Sequence, residues 1–312
     1  MSKIYENENI DNLWLDTLSK ILKQGSTIQS RIGLVKELLG YRATLTNLES
    51  TFLLNPRRKL SPKYAAAEVL WYLSGNDNID MLLAYAPQYE KFAEDGIAFG
   101  AYGARWKRYN QLSLLIDLLR EKRTSRQAVI TMWQGSDLEA SYVGGHKDIP
   151  CTLSLQFLLR NDRLYLITTM RSNDAWLGLP YDIFAFTCLQ RLIADALNVG
   201  YGTYVHQVGS IHLYEKNWGA AEESLLNTMN YLDDRRLQHH WLRDTKPWRS
   251  QIQTALCAEG RYRNKLNGIA EHRLLGEGML YDLVSCCAQQ FGHNTICFSP
   301  VLRKGFQNAK KK

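Results

Sequence analysis

Apolar residues recur at helical spacing near the start of the chain, where Leu13, Leu15, Leu18, Ile21 and Leu22 punctuate residues 12–24 and Gly25 follows. That period predicts a first helix with Gly25 as its C-cap. A second helix is predicted over residues 62–73, entered from Ser61 as N-cap and closing on the aromatic-rich Leu70-Trp71-Tyr72-Leu73. Residues 152–170 instead hold two β-rich runs separated by Asn161 and Asp162, both turn formers, and read as an antiparallel hairpin. Residues 181–197 make a helix too apolar for a surface position, so it belongs at the centre of the fold, and a strand pattern returns over 203–214. Beyond Trp218 the pattern turns helical again at 219–232 and 249–265, interrupted by Lys246, Pro247 and Trp248. Lys310, Lys311 and Lys312 read as a frayed tail, and no internal repeat is evident.

Composition narrows this only a little. With 312 residues, 45% hydrophobic and 22% charged, the chain has the material for one large core and is not globally disordered. The net charge of +7 suits a phosphorylated small molecule as well as a solvated surface. No basic stripe interleaved with aromatics stands out, so nucleic acid is not an expected partner. The first dozen residues are polar and no run of eighteen apolar residues occurs, so a cytoplasmic location without a membrane span is expected. Six cysteines, at 151, 188, 257, 286, 287 and 297, form no CxxC pair and are expected to be reduced; no metal is expected.

Taken alone, Pro150-Cys151 reads as a buried small hydrophobe more readily than as a nucleophile. One hairpin downstream, however, residues 170–184 (Met-Arg-Ser-Asn-Asp-Ala-Trp-Leu-Gly-Leu-Pro-Tyr-Asp-Ile-Phe) combine a cation, a hydroxyl, two carboxylates, a glycine and a proline. As composition, that is a charged loop leading into a core helix. Together with Pro150-Cys151-Thr152 and His212-Leu213-Tyr214 it resembles the thymidylate synthase superfamily, whose motifs are Pro-Cys-His, Arg-Ser-x-Asp-x-x-Leu-Gly-x-Pro-Phe-Asn and His-x-Tyr. Ser30-Arg31-Ile32-Gly33, Glu68-Val69-Leu70-Trp71-Tyr72-Leu73, Tyr102-Gly103 and Ser125-Arg126 resemble further segments of that family in the same order. Two positions depart from it: Thr152 follows the cysteine, and Asp182 stands where the family's asparagine reads uracil. Both departures resemble the cytosine-handling branch, the phage deoxycytidylate hydroxymethylases.

The resemblance implies an α+β fold with a mostly antiparallel sheet on a long buried helix. It covers residues 12–218, giving a catalytic core over 1–218 with 219–312 as a helical C-terminal extension. It implies a homodimer with shared active sites, and 5,10-methylenetetrahydrofolate as co-substrate. By carry-over, Cys151 is the nucleophile, Glu68 the general acid/base and Asp182 the base reader. Arg31, Arg126, Arg171, Ser172, His212 and Tyr214 hold the nucleotide's phosphate and sugar. Asp174 holds the pterin, with Trp71, Leu177 and Gly178 beside it. The implied activity is one-carbon transfer to carbon 5 of a pyrimidine nucleoside monophosphate, first of all dCMP to 5-hydroxymethyl-dCMP. A methyltransferase on dCMP or dUMP, a CMP hydroxymethylase, and a silent nucleotide- or RNA-binding homologue stay open as alternatives.

The chemistry wants these residue types. Carbon 5 is a weak nucleophile until a thiolate adds at carbon 6. A thiol's ordinary pKa of about 8.5 leaves little thiolate at neutral pH, so a cation at Arg126 or Arg171 is expected to lower it. Guanidinium groups present paired donors to phosphate, although the family's second adjacent arginine is Gln127 here. Asparagine matches the donor and acceptor order of uracil; cytosine reverses it, and an aspartate sharing a proton with the base matches the reversed order. Asp182 also reads as a helix N-cap, and Glu68, in an otherwise apolar helix, is expected to have a raised pKa.

Overall fold

The computed structural model describes residues 6–146, 148–226 and 237–310. Its strands are β1 (Glu6–Asn7), β2 (Ser26–Gln29), β3 (Leu34–Leu45), β4 (Val129–Thr131), β5 (Thr152–Arg160), β6 (Arg163–Asp174) and β7 (Gly200–Tyr214). Its helices are α1 (Ile10–Gln24), α2 (Pro62–Ser74), α3 (Asp80–Leu83), α4 (Tyr102–Lys107), α5 (Gln111–Glu121), α6 (Ser136–Tyr142), α7 (Leu179–Ala196), α8 (Trp218–Leu226), α9 (Trp248–Arg263), α10 (Ile269–Arg273), α11 (Met279–Ala288) and α12 (Pro300–Lys310).

The hairpin forms where its turn chemistry puts it. Asn161 and Asp162 both take left-handed backbone (φ 48° and 54°), the two-residue turn that matches the twist of β5 and β6. The chain then crosses through α7 to β7, which lies parallel to β6, and β7 pairs antiparallel with β3. The sheet order is β1-β3-β7-β6-β5-β4, with β2 hydrogen-bonded to β3, and only the β1/β3 and β6/β7 pairs are parallel. This is an α+β fold with a mostly antiparallel sheet. Nearly all of α7 is buried, and Gln190 ties it to the sheet by donating to the carbonyls of Leu164 (2.8 Å) and Gly202 (3.1 Å).

Helix α2 begins where Ser61 Oγ accepts from the Tyr64 amide and Pro62 takes the first turn. Gly75, at φ 67°, ends it in a left-handed cap. Gly103 lets α4 cross its end, since a Cβ there would lie 2.3 Å from the Tyr72 carbonyl oxygen. Helices α7, α9, α11 and α12 pack on α2, and one cluster of buried side chains runs from Ile10 to Phe306.

The helix predicted over 219–232 is seen as α8 as far as Leu226; residues 227–232 lie outside the described residues. Lys310 is not tail but the last residue of α12, whose Val301, Leu302 and Phe306 are buried; Lys311 and Lys312 lie outside the described residues. Among the described residues no helix is long and apolar enough to cross a membrane.

Candidate active site

Strand register gathers the motifs at one end of the sheet. Thr152 at the start of β5 faces Met170, Asp174 at the end of β6 faces His212, and Tyr214 at the end of β7 faces Val35, next to the Ser30–Gly33 turn. Cys151 therefore sits half-buried at the entry to β5, with its carbonyl accepting from the Arg171 amide at 2.8 Å. The Arg171 guanidinium folds back to donate to the carbonyls of Pro150 (3.0 Å) and Ile149 (2.9 Å), bracing the turn that carries the thiol.

Cations were expected to lower the Cys151 pKa, but the balance goes the other way. Burial pushes the thiol up, Arg171 pulls it down, and Asp182 and Asp148 push it up further. Arg126 is not among the charges that act on Cys151 within the chain. The Gln156 side chain donates to the Arg126 backbone and Phe157 bonds to Ala128, so its segment runs beside the middle of β5. At about 3.3 Å per residue that is roughly 15–20 Å from Cys151. Its side chain is exposed.

Two carboxyls face one another across the site. Glu68, on α2 and 7% exposed, accepts from the Tyr64 hydroxyl at 2.6 Å, and burial pushes its pKa up to about 7. Asp182, in the first turn of α7, is pushed up to about 8 by burial and by Glu68, against a 2.7 Å hydrogen bond from Asn173 Nδ2. Its N-cap reading is corrected: Gly178 occupies the cap, and the Asp182 amide already donates to the Gly178 carbonyl inside the helix. Tyr72, Tyr89 and Tyr102 close around these groups, and the Thr152 amide donates to the Tyr102 hydroxyl at 3.3 Å.

On the opposite side, Ser172 Oγ lies 3.4 Å from His212 Nδ1, and the His212 and Tyr214 rings meet edge to face at 5.2 Å. Tyr214 senses the charges of Asp174, Arg31 and Cys151, so the exposed Arg31 turn belongs to the same neighbourhood. Asp174 Oδ1 accepts from the amides of Trp176 (2.8 Å) and Leu177 (3.1 Å), which leaves Oδ2 for another partner. Leu177 is 47% exposed beside it. Trp71 is 2% exposed, with its indole N–H on the Asn78 carbonyl at 2.8 Å, so it supports Tyr72 and Tyr89 from behind and offers little surface itself.

Five residues not read as functional from the sequence stand in or behind the site. Arg58 donates to the Trp176 carbonyl (2.5 Å) and lies over the Tyr181 ring; Tyr64 reaches Glu68; Asp148 acts on Cys151; Asn173 and the buried His206 stand behind Asp182. Asn173 lies inside the quoted Arg-Ser-Asn-Asp motif, and His206 follows Tyr204 at the two-residue spacing that puts both on one face of a strand. Those were the available signals.

A half-buried thiol and two buried carboxyls with raised pKa values at one sheet end agree with what comparison finds: the family described as thymidylate synthase matches residues 12–246, most of the chain. This chain belongs to the thymidylate synthase family. It is also 32% identical over 225 residues to a protein of Bacillus phage SP01 named deoxyuridylate hydroxymethyltransferase, a match covering 67% of this chain and 58% of that relative. The chain thus spans less than two thirds of the length of that relative. The thymidylate synthase match runs past Trp218 into the segment ahead of α9.

Proposed function

We propose that this member of the thymidylate synthase family transfers a one-carbon unit from 5,10-methylenetetrahydrofolate to carbon 5 of dCMP, giving 5-hydroxymethyl-dCMP. The observation that carries the choice of base is Asp182, a carboxyl pushed up to about 8 and so largely protonated at neutral pH. A protonated carboxyl presents one donor and one acceptor, the order that cytosine's ring nitrogen 3 and amino group require. The product rests on the relative named as a hydroxymethyltransferase.

In this reading the Cys151 thiolate bonds to carbon 6, the 5,6 π pair shifts into the bond between carbons 4 and 5, and the π pair between carbon 4 and nitrogen 3 moves onto nitrogen 3, which takes the Asp182 proton. Protonated Asp182 also relieves the repulsion it exerts on the Cys151 thiolate. Glu68, near half ionisation at neutral pH, is suited to moving a proton at the carbon-5 side through water. The folate, when bound, supplies the one-carbon unit. The residues fit it: Oδ2 of Asp174 is available to a pterin N–H, and Leu177 adds apolar surface. Arg31, Arg171, Ser172, His212 and Tyr214 would hold the phosphate and sugar. Arg126, remote from its own Cys151, reaches a site only in a neighbouring subunit. That geometry, with Leu39 76% exposed on β3, supports a homodimer with shared sites.

A second reading, hydroxymethylation of dUMP, is favoured by the name of the phage relative. The two are separated by incubation with dCMP, CMP or dUMP and methylenetetrahydrofolate, read by product mass and by dihydrofolate formation. Hydroxymethyl-dCMP without dihydrofolate is expected. Asp182→Asn should raise the dUMP to dCMP ratio of kcat/KM by at least roughly tenfold, from the 1–3 kcal/mol cost of misplaced buried hydrogen-bond groups. A wild type that prefers dUMP, or a variant that keeps the wild-type preference, sinks the cytosine assignment.

A further inference from the structure

Behind Asp182 lies a chain of hydrogen bonds that no role described so far uses. Asn173, near the end of β6 and 4% exposed, gives its Nδ2 to Asp182 Oδ2 at 2.7 Å. Its Oδ1 lies 3.2 Å from His206 Nε2, and His206 Nδ1 lies 2.7 Å from the Tyr204 hydroxyl. His206 and Tyr204, both on β7, are fully buried, and burial holds the imidazole neutral, with its pKa down to about 3.

Donor and acceptor roles follow from counting. A neutral imidazole has one N–H and one lone pair. Because the Asn173 amide nitrogen faces Asp182, its oxygen faces His206, so Nε2 must be the imidazole's donor. Nδ1 then accepts from the Tyr204 hydroxyl. Every donor in the chain points toward Asp182, and Oδ2 of that carboxyl receives the last of them.

We infer that Asn173 and His206 are positioning residues that lock Oδ2 of Asp182 as an acceptor, with its second lone pair toward the base's amino group, and so keep the proton on Oδ1, where it faces ring nitrogen 3. The inference rests on the reading that Asp182 meets the pyrimidine. A carboxyl whose proton has one permitted place is a base reader of fixed polarity; one free to put it on either oxygen discriminates less. Gly178 is part of the arrangement, since a Cβ there would stand 3.0 Å from Asn173 Nδ2 and 3.3 Å from Asp182 Oδ2, crowding the bond between them. The titratable groups facing Asp182 are Glu68 and Tyr72 from α2, Tyr89 from the turn Pro87–Phe92, Tyr102 from α4, Cys151 before β5 and Tyr204 from β7. None of them is a hydrogen-bond donor to Oδ2 among the described contacts, so Asn173 holds that role.

The test compares kcat/KM on dCMP and dUMP from about pH 6 to about pH 10 for the wild type and five variants, Asn173→Ala, His206→Leu, His206→Gln, Tyr204→Phe and Asp182→Asn. Asn173→Ala and His206→Leu should lower the dCMP to dUMP ratio by roughly tenfold. The Asn173 bond lowers the Asp182 pKa, so its loss should also move the alkaline limb on dCMP upward. His206→Gln, which supplies an N–H where imidazole Nε2 stands, should retain the wild-type ratio. Tyr204→Phe, which removes only a hydroxyl, should fall between. Should His206→Leu not fold, Asn173→Ala and Tyr204→Phe still decide. If these variants slow both nucleotides equally and leave the alkaline limb in place, the network is structural and the inference is overturned. If Asp182→Asn changes base preference while they do not, only the positioning inference fails; if Asp182→Asn itself changes nothing, the base-reading assignment falls with it.

Discussion

Both the catalytic end of the sheet and the C-terminal helical region bury carboxyl groups and thereby push them up, but they differ in how many donors each carboxyl is given. At the catalytic end, Glu68 is raised toward neutral pH by burial, Asp182 by burial and by repulsion from Glu68, and Cys151 is raised beside them. In the C-terminal region, Asp282 is fully buried on α11 but accepts from Trp241 Nε1 (2.7 Å), the Phe298 amide (2.6 Å) and the Ser299 amide (2.7 Å). His239 likewise lies between Thr51 (3.1 Å) and Ser299 (2.9 Å), stacked on Trp241 at 3.9 Å. One region gives each buried carboxyl few donors and keeps it near its protonation point; the other surrounds its carboxyl with three donors and packs α9, α11 and α12 on α2, which carries Glu68. The difference separates what a residue does for the reaction from what it does for the fold.

The sharpest way to break the comparison is at the thiol. Cys151→Ala should abolish turnover while leaving nucleotide binding within about tenfold, because bond formation and ground-state binding are separable. Binding is read by calorimetry and turnover by product mass; undiminished turnover would remove the nucleophile. Cys188, Cys257, Cys286, Cys287 and Cys297 should each tolerate Ala or Ser without comparable catalytic loss, and four of these five are buried in the fold.

Next in size is Glu68→Gln, expected to slow turnover by roughly a hundredfold with little change in nucleotide binding. The same change should raise stability. A carboxyl whose folded pKa is about 7 against an ordinary 4.5 binds its proton more tightly when folded, so its presence destabilises the fold increasingly as pH rises from about 4.5 to about 7. At about 1.4 kcal/mol per pKa unit the cost reaches a few kcal/mol and is fully present above that window. Thermal melts of the wild type should therefore fall across it, and those of Glu68→Gln should fall less. Lowered stability with near-normal turnover would make Glu68 a structural residue and erase the contrast between the regions.

How much of this was legible in the sequence depended on how local each feature is. The hairpin and α7 follow from turn residues and periodicity, and each is found within a few residues of its predicted place, whereas Asp182 lies in the first turn of α7 and not at its N-cap. Cys151 immediately precedes β5 and Arg171 lies on its partner β6, so their spacing survives into the structure as a hydrogen-bonded neighbour relation. The tyrosines around Glu68 and Asp182 come from α2, the turn Pro87–Phe92 and α4, and only tertiary packing unites them. Arg126 has the right residue type, but strand register carries it along β5 away from Cys151, which no pattern within one chain reveals. Within β3, Gly40 at φ 62° interrupts the regular alternation of a strand, so no clean period-two pattern marks it in the sequence. Asp148 lies next to Pro150-Cys151 in sequence, yet its effect on the thiol depends on being held by the Gly100 amide at 2.9 Å, a contact from another part of the chain.

The smallest expected change in turnover belongs to the C-terminal region, at Asp282→Ala. Removing the carboxylate strips the partner from three buried donors, the indole of Trp241 and the amides of Phe298 and Ser299. Buried donors left unmade cost about 1–3 kcal/mol each, and partial relaxation makes roughly 3 kcal/mol in all a reasonable expectation. The loss should propagate, because Ser299 also holds His239, and the His239 amide bonds to the Glu49 carbonyl at 2.7 Å, joining the extension to the loop after β3. Yet Asp282 is not among the groups that act on Cys151, Glu68 or Asp182. Denaturant melts should therefore show a lowered midpoint, while kcat per folded molecule and the base preference at low temperature stay near wild type. A loss of kcat in fully folded protein, with the melt unchanged, would show that the extension contributes to the chemistry and that the division between the two regions is wrong.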